Sequence, residues 1–227
     1  MKNKCPKCGL VSFQTVRSCP RCSAVIGETE NISSNGRSFK SAVIRRTAVC
    51  VAVCVLALGA FYASLVFSAD PLSAAERRRV DDAIALLERS GFSDEVFYLR
   101  YLAVYRASDN WLNASVAKES AFAATNFPFE IVTLYPDFFT YPADNTEQAA
   151  ILLHEAKHLQ GLDEKDAYEF VWKNRGRIGW TGENYGSSRV WYEIRKQTME
   201  YAPDLFICDF NPGGDCTETS KPPGIMP

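Results

Sequence analysis

From Thr47 to Phe67 the chain runs for 21 residues without a charge. Wound as an α-helix, that stretch is about 31 Å long, enough to cross the hydrocarbon core of a bilayer. A segment of this length and polarity constrains everything around it, because the two parts it separates must meet different solvents. Arg45 and Arg46 flank its start, behind Arg37 and Lys40, whereas Arg77, Arg78 and Arg79 lie farther from its end and among acids. The positive-inside rule therefore predicts a single-pass membrane protein with its N-terminus cytoplasmic and its C-terminal domain extracytoplasmic. A cleaved signal peptide is not expected, since a folded module and a linker precede the span. Composition divides the same way. Residues 1–46 hold nine Lys or Arg and two acids, residues 68–227 sixteen and twenty-five, so the net charge of −2 averages two oppositely charged parts.

The cytoplasmic part begins Cys5-Pro-Lys-Cys8-Gly9 and continues to Cys19-Pro-Arg-Cys22. Two C-x-x-C pairs this close set four thiolates for a tetrahedral metal site. The segment resembles the small zinc ribbons: Cys5 to Gly9 matches their Cys-Pro-x-Cys-Gly knuckle, and the second knuckle carries Ser23 in place of the glycine. That resemblance implies a ribbon over 1–24 with one structural zinc held by Cys5, Cys8, Cys19 and Cys22. Such a site is closed and does no chemistry. Residues 25–46, rich in Ser, Asn, Gly and basic residues, are expected to be a flexible linker. A basic module tethered to a membrane suits a protein partner better than nucleic acid. At the other end, Cys208 and Cys216 lie in an acidic Gly/Pro-rich stretch, where a disulfide between them would suit an oxidising exterior.

The chemistry-bearing segment is Ile151-Leu-Leu-His154-Glu155-Ala-Lys-His158-Leu-Gln-Gly161. It contains both histidines of the chain. Imidazoles four residues apart share one face of a helix, about 6 Å apart along its axis, so both can reach one metal ion. Glu155 beside them is a candidate general base for a metal-activated water. Asp144 and Asn145 supply N-cap chemistry, Glu147 stands at capping-box spacing from Asp144, and Ala149 to Leu153 give a helical, buried lead-in.

A third protein ligand cannot be a histidine. Continued straight, the helix offers only Leu162 and Lys165 near that face, so it must break, and Gly161 allows the left-handed turn that breaks it. A second helix then starts near Asp163. Asp163 reads as its cap, Asp166 as a first-turn acid, and Glu169 as the i,i+4 partner of Lys173. Glu164 is left without local employment and is the preferred ligand, with Asp163, Asp166, Glu169, Glu183 and Glu193 as alternatives. The segment from about 115 to 175 resembles the active-site region of the zincin metallopeptidases. Glu164-Lys-Asp-Ala167 is similar to the glutamate-x-x-alanine element of gluzincins, whereas His154-Glu155-x-x-His158-x-x-Gly161-x-x-Glu164 has metzincin spacing with glutamate in the last position. Both comparisons choose Glu164; they differ on subclan, so the resemblance is to a zincin, gluzincin-like.

What the resemblance implies is an α+β protein: a mainly helical zincin-like metallopeptidase domain with a small sheet over 70–210. The N-terminal ribbon and one transmembrane helix over 47–67 precede it, and a disordered tail over 211–227 follows. His154, His158 and Glu164 would bind a catalytic zinc, and Glu155 would serve hydrolysis of a peptide or protein substrate. Tyr185, Arg189, Tyr192 and Tyr201 are candidate oxyanion donors, and Met199 is a weak echo of the metzincin Met-turn, better explained by a helix period that makes it core. Around these, Ser73 and Glu76 form a capping box for a helix ending at Gly91. A helical run is expected from Asp94 with Ser93 as cap, strands over 121–125 and 129–135, a turn-rich loop over 179–186 and a helix over 187–201. Two other readings use the same features: a zinc-binding membrane scaffold that no longer turns over, and a zinc-ribbon regulator with an extracytoplasmic sensor.

Overall fold

The computed structural model describes residues 2–13, 17–26, 36–115, 121–207 and 215–217. They fall into two units, Met1–Ala57 and Leu58–Pro227. In the first, strands β1 (Lys2–Lys4) and β2 (Val11–Phe13) form an antiparallel hairpin over the first cysteine knuckle. Helix α1 (Gly36–Phe67) follows; its stretch Ser41–Phe67, with a mean hydropathy of 2.5 over its most apolar 18 residues, is long and apolar enough to cross a membrane. The helix starts well inside the linker expected to be flexible. No proline interrupts 36–46, and extending an existing helix adds a hydrogen bond for each residue ordered, whereas starting one does not.

In the second unit, α2 (Ala74–Arg89) opens with the expected capping box, Glu76 N–H donating to Ser73 Oγ and Ser73 N–H to Glu76 Oε2, and ends before Gly91 at φ +81°. Its Val80, Ala83, Ile84 and Leu87 stripe is buried. The helix expected from Asp94 is short: α3 (Ser93–Phe97) passes into a π-helical turn at Tyr98–Leu102, and Phe92 rather than Ser93 stands at its cap. The chain then enters β3 (Val104–Arg106), because pairing with the buried strand β5 (Ile131–Leu134) outweighs continued helix. Strand β4 (Ala123–Asn126) completes a sheet of order β3-β5-β4, parallel between β3 and β5 and antiparallel between β4 and β5. Pro136 begins α4 (Pro136–Thr140), ending β5 as expected.

Next comes α5 (Asn145–Leu159), buried almost all round, as a central helix must be. Asp144 caps it by accepting from the N–H groups of Thr146 and Glu147. The Glu147 carboxylate does not return to the cap residue. It accepts instead from Ala143 N–H at 2.8 Å and from Trp180 Nε1 and the Ser188 hydroxyl, tying α5 to the C-terminal helices. Helices α6 (Glu164–Asn174), α7 (Gly182–Tyr185) and α8 (Arg189–Tyr201) cover the remaining face, so the unit is mainly helical with a small three-stranded sheet. The turn-rich 179–186 segment thus holds one short helix.

Part of the stretch expected to be a disordered tail is packed. Asp215 is buried against Arg175 at 2.5 Å and accepts from Trp172 Nε1 at 2.8 Å. The reason is electrostatic: a guanidinium as buried as that of Arg175 needs a carboxylate, and Asp215 supplies it. Cys216 is disulfide-bonded, and its expected partner Cys208 lies outside the described residues, as does the rest of 208–214 and 218–227.

Candidate metal centres

Both histidines project from α5, and the way α5 ends brings in the third group. Leu162 N–H donates to the Lys157 carbonyl and Gly161 N–H to that of His158, the paired bonds of a Schellman motif, with Gly161 at φ +79°. The chain reverses there and restarts as α6, capped by Asp163, whose side chain accepts from Asp166 N–H at 3.0 Å. Glu164, the first residue of α6, is thereby returned to the imidazoles. Its carboxylate oxygens lie 3.2 Å from His154 Nε2 and 3.4 Å from His158 Nε2, and the two Nε2 atoms are 2.9 Å apart. Ligands held at about 2.0–2.1 Å around a tetrahedral ion stand about 3.3 Å from one another, so this triangle has the dimensions of one coordination face.

Protonation points the same way. His158 Nδ1 is 3.0 Å from the Leu162 carbonyl oxygen, which can only accept, so in the neutral ring the proton sits on Nδ1 and Nε2 is the nitrogen left to bind a metal. A carboxylate and two imidazole nitrogens aimed at one point repel unless a cation or a proton joins them. Without a metal, burial disfavours the His158 imidazolium, but Glu164, the charge of Glu155 and the Leu162 carbonyl overcome it and raise the group to about 9. Hydrogen bonding to His154 and His158 holds the Glu164 carboxyl well below the usual carboxylate range. The group can hold a metal ion.

The alternatives for the third position are employed elsewhere. Asp163 is the cap, Asp166 stands in the first turn of α6, Glu169 pairs with Lys173, and Glu183 and Glu193 do not line the cleft. That cleft, about 490 Å³, runs between β4 and α5 and is closed on its far side by α6 and α8. Glu155 lines it beside the histidines and accepts from Thr125 Oγ1 of β4 at 2.7 Å, which engages one of its two carboxylate oxygens. The neighbouring Lys157 turns away from the cleft: it is buried, 2.5 Å from Glu95 and over the Phe170 ring.

Four residues of the site are not assigned to it from the sequence. Tyr168 packs its ring 4.2 Å from that of His154 and donates to Gln197 Oε1 at 2.7 Å; burial pushes its phenol up, so it stays a neutral donor. Its spacing, four residues after Glu164 on one helix, could have placed it beside the ligands. Thr125, Gln197 and Phe127 have no such local signal. Of the candidate oxyanion donors only Tyr201 lines the cleft, stacked on Tyr168. Tyr185 instead donates to Asp144, Arg189 lies over Tyr141, and Tyr192 does not line the cleft. Met199 is on α8 as its period predicts, yet 42% exposed and in contact with Arg195 rather than in the core, and it forms no turn beneath the histidines.

In the first unit Cys5 Sγ lies 3.6 Å from Cys22 Sγ and Cys8 Sγ 3.5 Å from Cys19 Sγ, close to the edge of about 3.8 Å expected for tetrahedral thiolates. Each pair joins one knuckle to the other, so the four sulfurs form a single cluster that can hold a metal ion. The Arg21 and Cys22 N–H groups pull the Cys19 thiol down to about 6, and those of Cys8 and Lys7 lower Cys5. Ser23, where a ribbon usually has glycine, takes φ +54°, matching Gly9 at φ +73° in the first knuckle. The chain matches no family model, no curated protein and no solved structure.

Proposed function

We propose that this protein is a membrane-anchored zinc metallopeptidase of zincin type, with α1 as its single span and the cleft on the extracytoplasmic side. The observation that carries the reading is the triangle of His154, His158 and Glu164 opening into a cleft that also holds Glu155. Zinc suits a His₂Glu donor set, and in the ribbon a Cys₄ set. When bound at the former, it supplies Lewis acidity to a peptide carbonyl and to water. The disulfide at Cys216 accords with an oxidising exterior, and the reduced cysteine cluster with the cytoplasm.

In this reading Glu155, anchored on one oxygen by Thr125, takes a proton from the attacking water with the other. It then delivers that proton to the amine nitrogen as the peptide bond breaks. Strand β4 forms the outer edge of the sheet along the cleft, where its outward backbone groups can hold an extended peptide. Tyr201, and Tyr168 once released from Gln197, are side-chain donors on the cleft wall that can serve a developing oxyanion.

The test is Glu155→Gln in the full-length protein in lipid, scored for cleavage of a peptide library and for bound zinc. Abolished cleavage with zinc retained is the expected result. A wild-type protein that binds zinc but cleaves nothing, with a cellular phenotype unchanged in Glu155→Gln, assigns the site to a scaffold instead.

A further inference from the structure

Helix α1 is not joined to the catalytic unit by a loose tether. Arg106 Nε donates to the Val66 carbonyl at 2.9 Å, occupying one of the acceptors a helix end leaves free. Trp111 donates through Nε1 to Ser64 and through its backbone N–H to Ser68, and Leu65 is wholly buried. Immediately beyond, Asp70 N–H donates to Ser108 Oγ and its carbonyl accepts from Ala107 N–H, so the chain leaving the helix is stitched to the end of β3.

Contact continues deeper along the helix. The ring of Phe61 meets Trp111 at 5.9 Å and Phe129 at 5.7 Å. About twenty residues cross the hydrocarbon core; counted from Ser41 they end at Ala60, and counted from Thr47 at Val66. In either register Phe61 lies at the outer lipid boundary or inside it. Trp111, half exposed, and Phe129 therefore stand at the depth where aromatic residues favour the lipid interface.

The turn that carries Phe129 also borders the cleft. Phe129 N–H donates to the Asn126 carbonyl, and Phe127 between them is 57% exposed and lines the cleft. Its ring comes within 3.5 Å of the position a Cβ on Gly161 would take, at the end of the histidine-bearing helix. One four-residue turn thus touches the membrane helix on one side and the metal site's rim on the other.

We infer that the cleft opens at the outer bilayer surface and that its substrates are membrane-anchored polypeptides, cut in the extended segment just above the lipid. This substrate class rests on the peptidase reading. Phe61 meets Phe129 at 5.7 Å, Phe127 is two residues from Phe129, and its ring comes within 3.5 Å of the Gly161 Cβ position, a relay within the roughly 20 Å that about six extended residues cover. Scissile bonds accordingly lie within about six residues of the bilayer, and a soluble polypeptide must approach over an apolar rim held against lipid.

Two measurements on the full-length protein in phospholipid vesicles decide it. The first is tryptophan quenching by lipids brominated near the headgroup, comparing wild type with Trp111→Phe, and Phe127→Trp in the Trp111→Phe background. Quenching of both introduced and native indoles is expected, and none at either position overturns the placement whatever the activity. The second presents a degenerate 30-residue segment between a transmembrane helix and a soluble tag, with Glu155→Gln as the blank, and maps cuts by mass spectrometry. Cuts about tenfold enriched within six residues of the lipid are expected. Cuts spread evenly, or equal cleavage of the same segment free in solution, overturn the substrate class. No cleavage with quenching intact removes the peptidase reading and the substrate class with it, while the bilayer contact stands.

Discussion

Thr125 of the edge strand donates its hydroxyl proton to Glu155 of the histidine-bearing helix at 2.7 Å. This bond joins the sheet to the helix at the residue proposed to move the proton, and it engages one of that residue's two carboxylate oxygens. Thr125→Val keeps the shape and removes the donor. Hydrogen bonds to charged groups contribute about 1.5–3 kcal/mol, so the variant should unfold at lower temperature by a corresponding amount. Turnover should fall while metal stoichiometry is unchanged. Metal analysis beside cleavage kinetics checks this, and loss of the metal would show that Thr125 supports the ligands rather than the base.

Gly161 holds the turn that returns Glu164 to the imidazoles. At φ +79° a side chain costs about 1–2 kcal/mol even where space is open, and here the nearest atoms lie at ordinary contact distance. Gly161→Ala should therefore weaken metal binding by about tenfold through displacement of Glu164, without unfolding the unit. Titration against a competing chelator measures it. An unchanged affinity would show that Glu164 does not depend on the turn.

The ligands bind protons and metal in competition, which gives opposite pH responses with and without the ion. In the metal-free protein the raised His158 stabilises the fold fully below its ordinary 6.5 and loses that contribution as pH climbs through about 9. The depressed Glu164 contributes above its ordinary 4.5 and loses it as pH falls toward its folded value. Chelator-treated protein should thus gain most from the pair between pH 4.5 and 6.5, whereas metal affinity should rise from pH 6 to 9. Melting curves and metal titrations across that range test both; an affinity flat with pH would mean that His158 binds no proton there.

Lys157, between the two histidines in sequence, is buried against Glu95 at 2.5 Å. Lys157→Met leaves Glu95 buried without its partner and should cost about 3–5 kcal/mol. Adding Glu95→Leu should recover most of that loss, since the stranded charge is then gone as well. Chemical denaturation of the two variants is the measurement, and a double variant as weak as the single would assign the cost to packing on Phe170.

In the cysteine cluster, Ser23 adopts the left-handed backbone that Gly9 takes in the other knuckle. Ser23→Gly should relieve about 1 kcal/mol and tighten metal binding about fivefold. Chelator competition on the full-length protein reads it.

Periodicity and spacing carried a good deal of this molecule. Two histidines four apart, a capping aspartate and a glycine three residues past the second histidine specify a helix, its face and its end, because each is a local rule acting over one or two turns. Glu164 emerged from the same kind of reasoning, as the one acid nearby with no helix role of its own. The cysteine cluster and the apolar helix were equally plain, since four thiols and 21 uncharged residues admit few other uses. The short α3, the strand at Val104, the packed Asp215 and the solvent-facing Met199 were not plain: pairing across a sheet, the charge needs of a buried guanidinium and the facing of α8 are set by distant partners.

The chain's order of residues therefore established which groups could meet a metal and where a membrane could be crossed. Folding established which groups attend them. Thr125 reaches Glu155 from 30 positions away, Gln197 reaches Tyr168 from 29, and Phe129 packs against Phe61 of the long apolar helix. Such contacts leave no periodic trace, because they arise from surfaces that close on one another only after the helices and the sheet have packed.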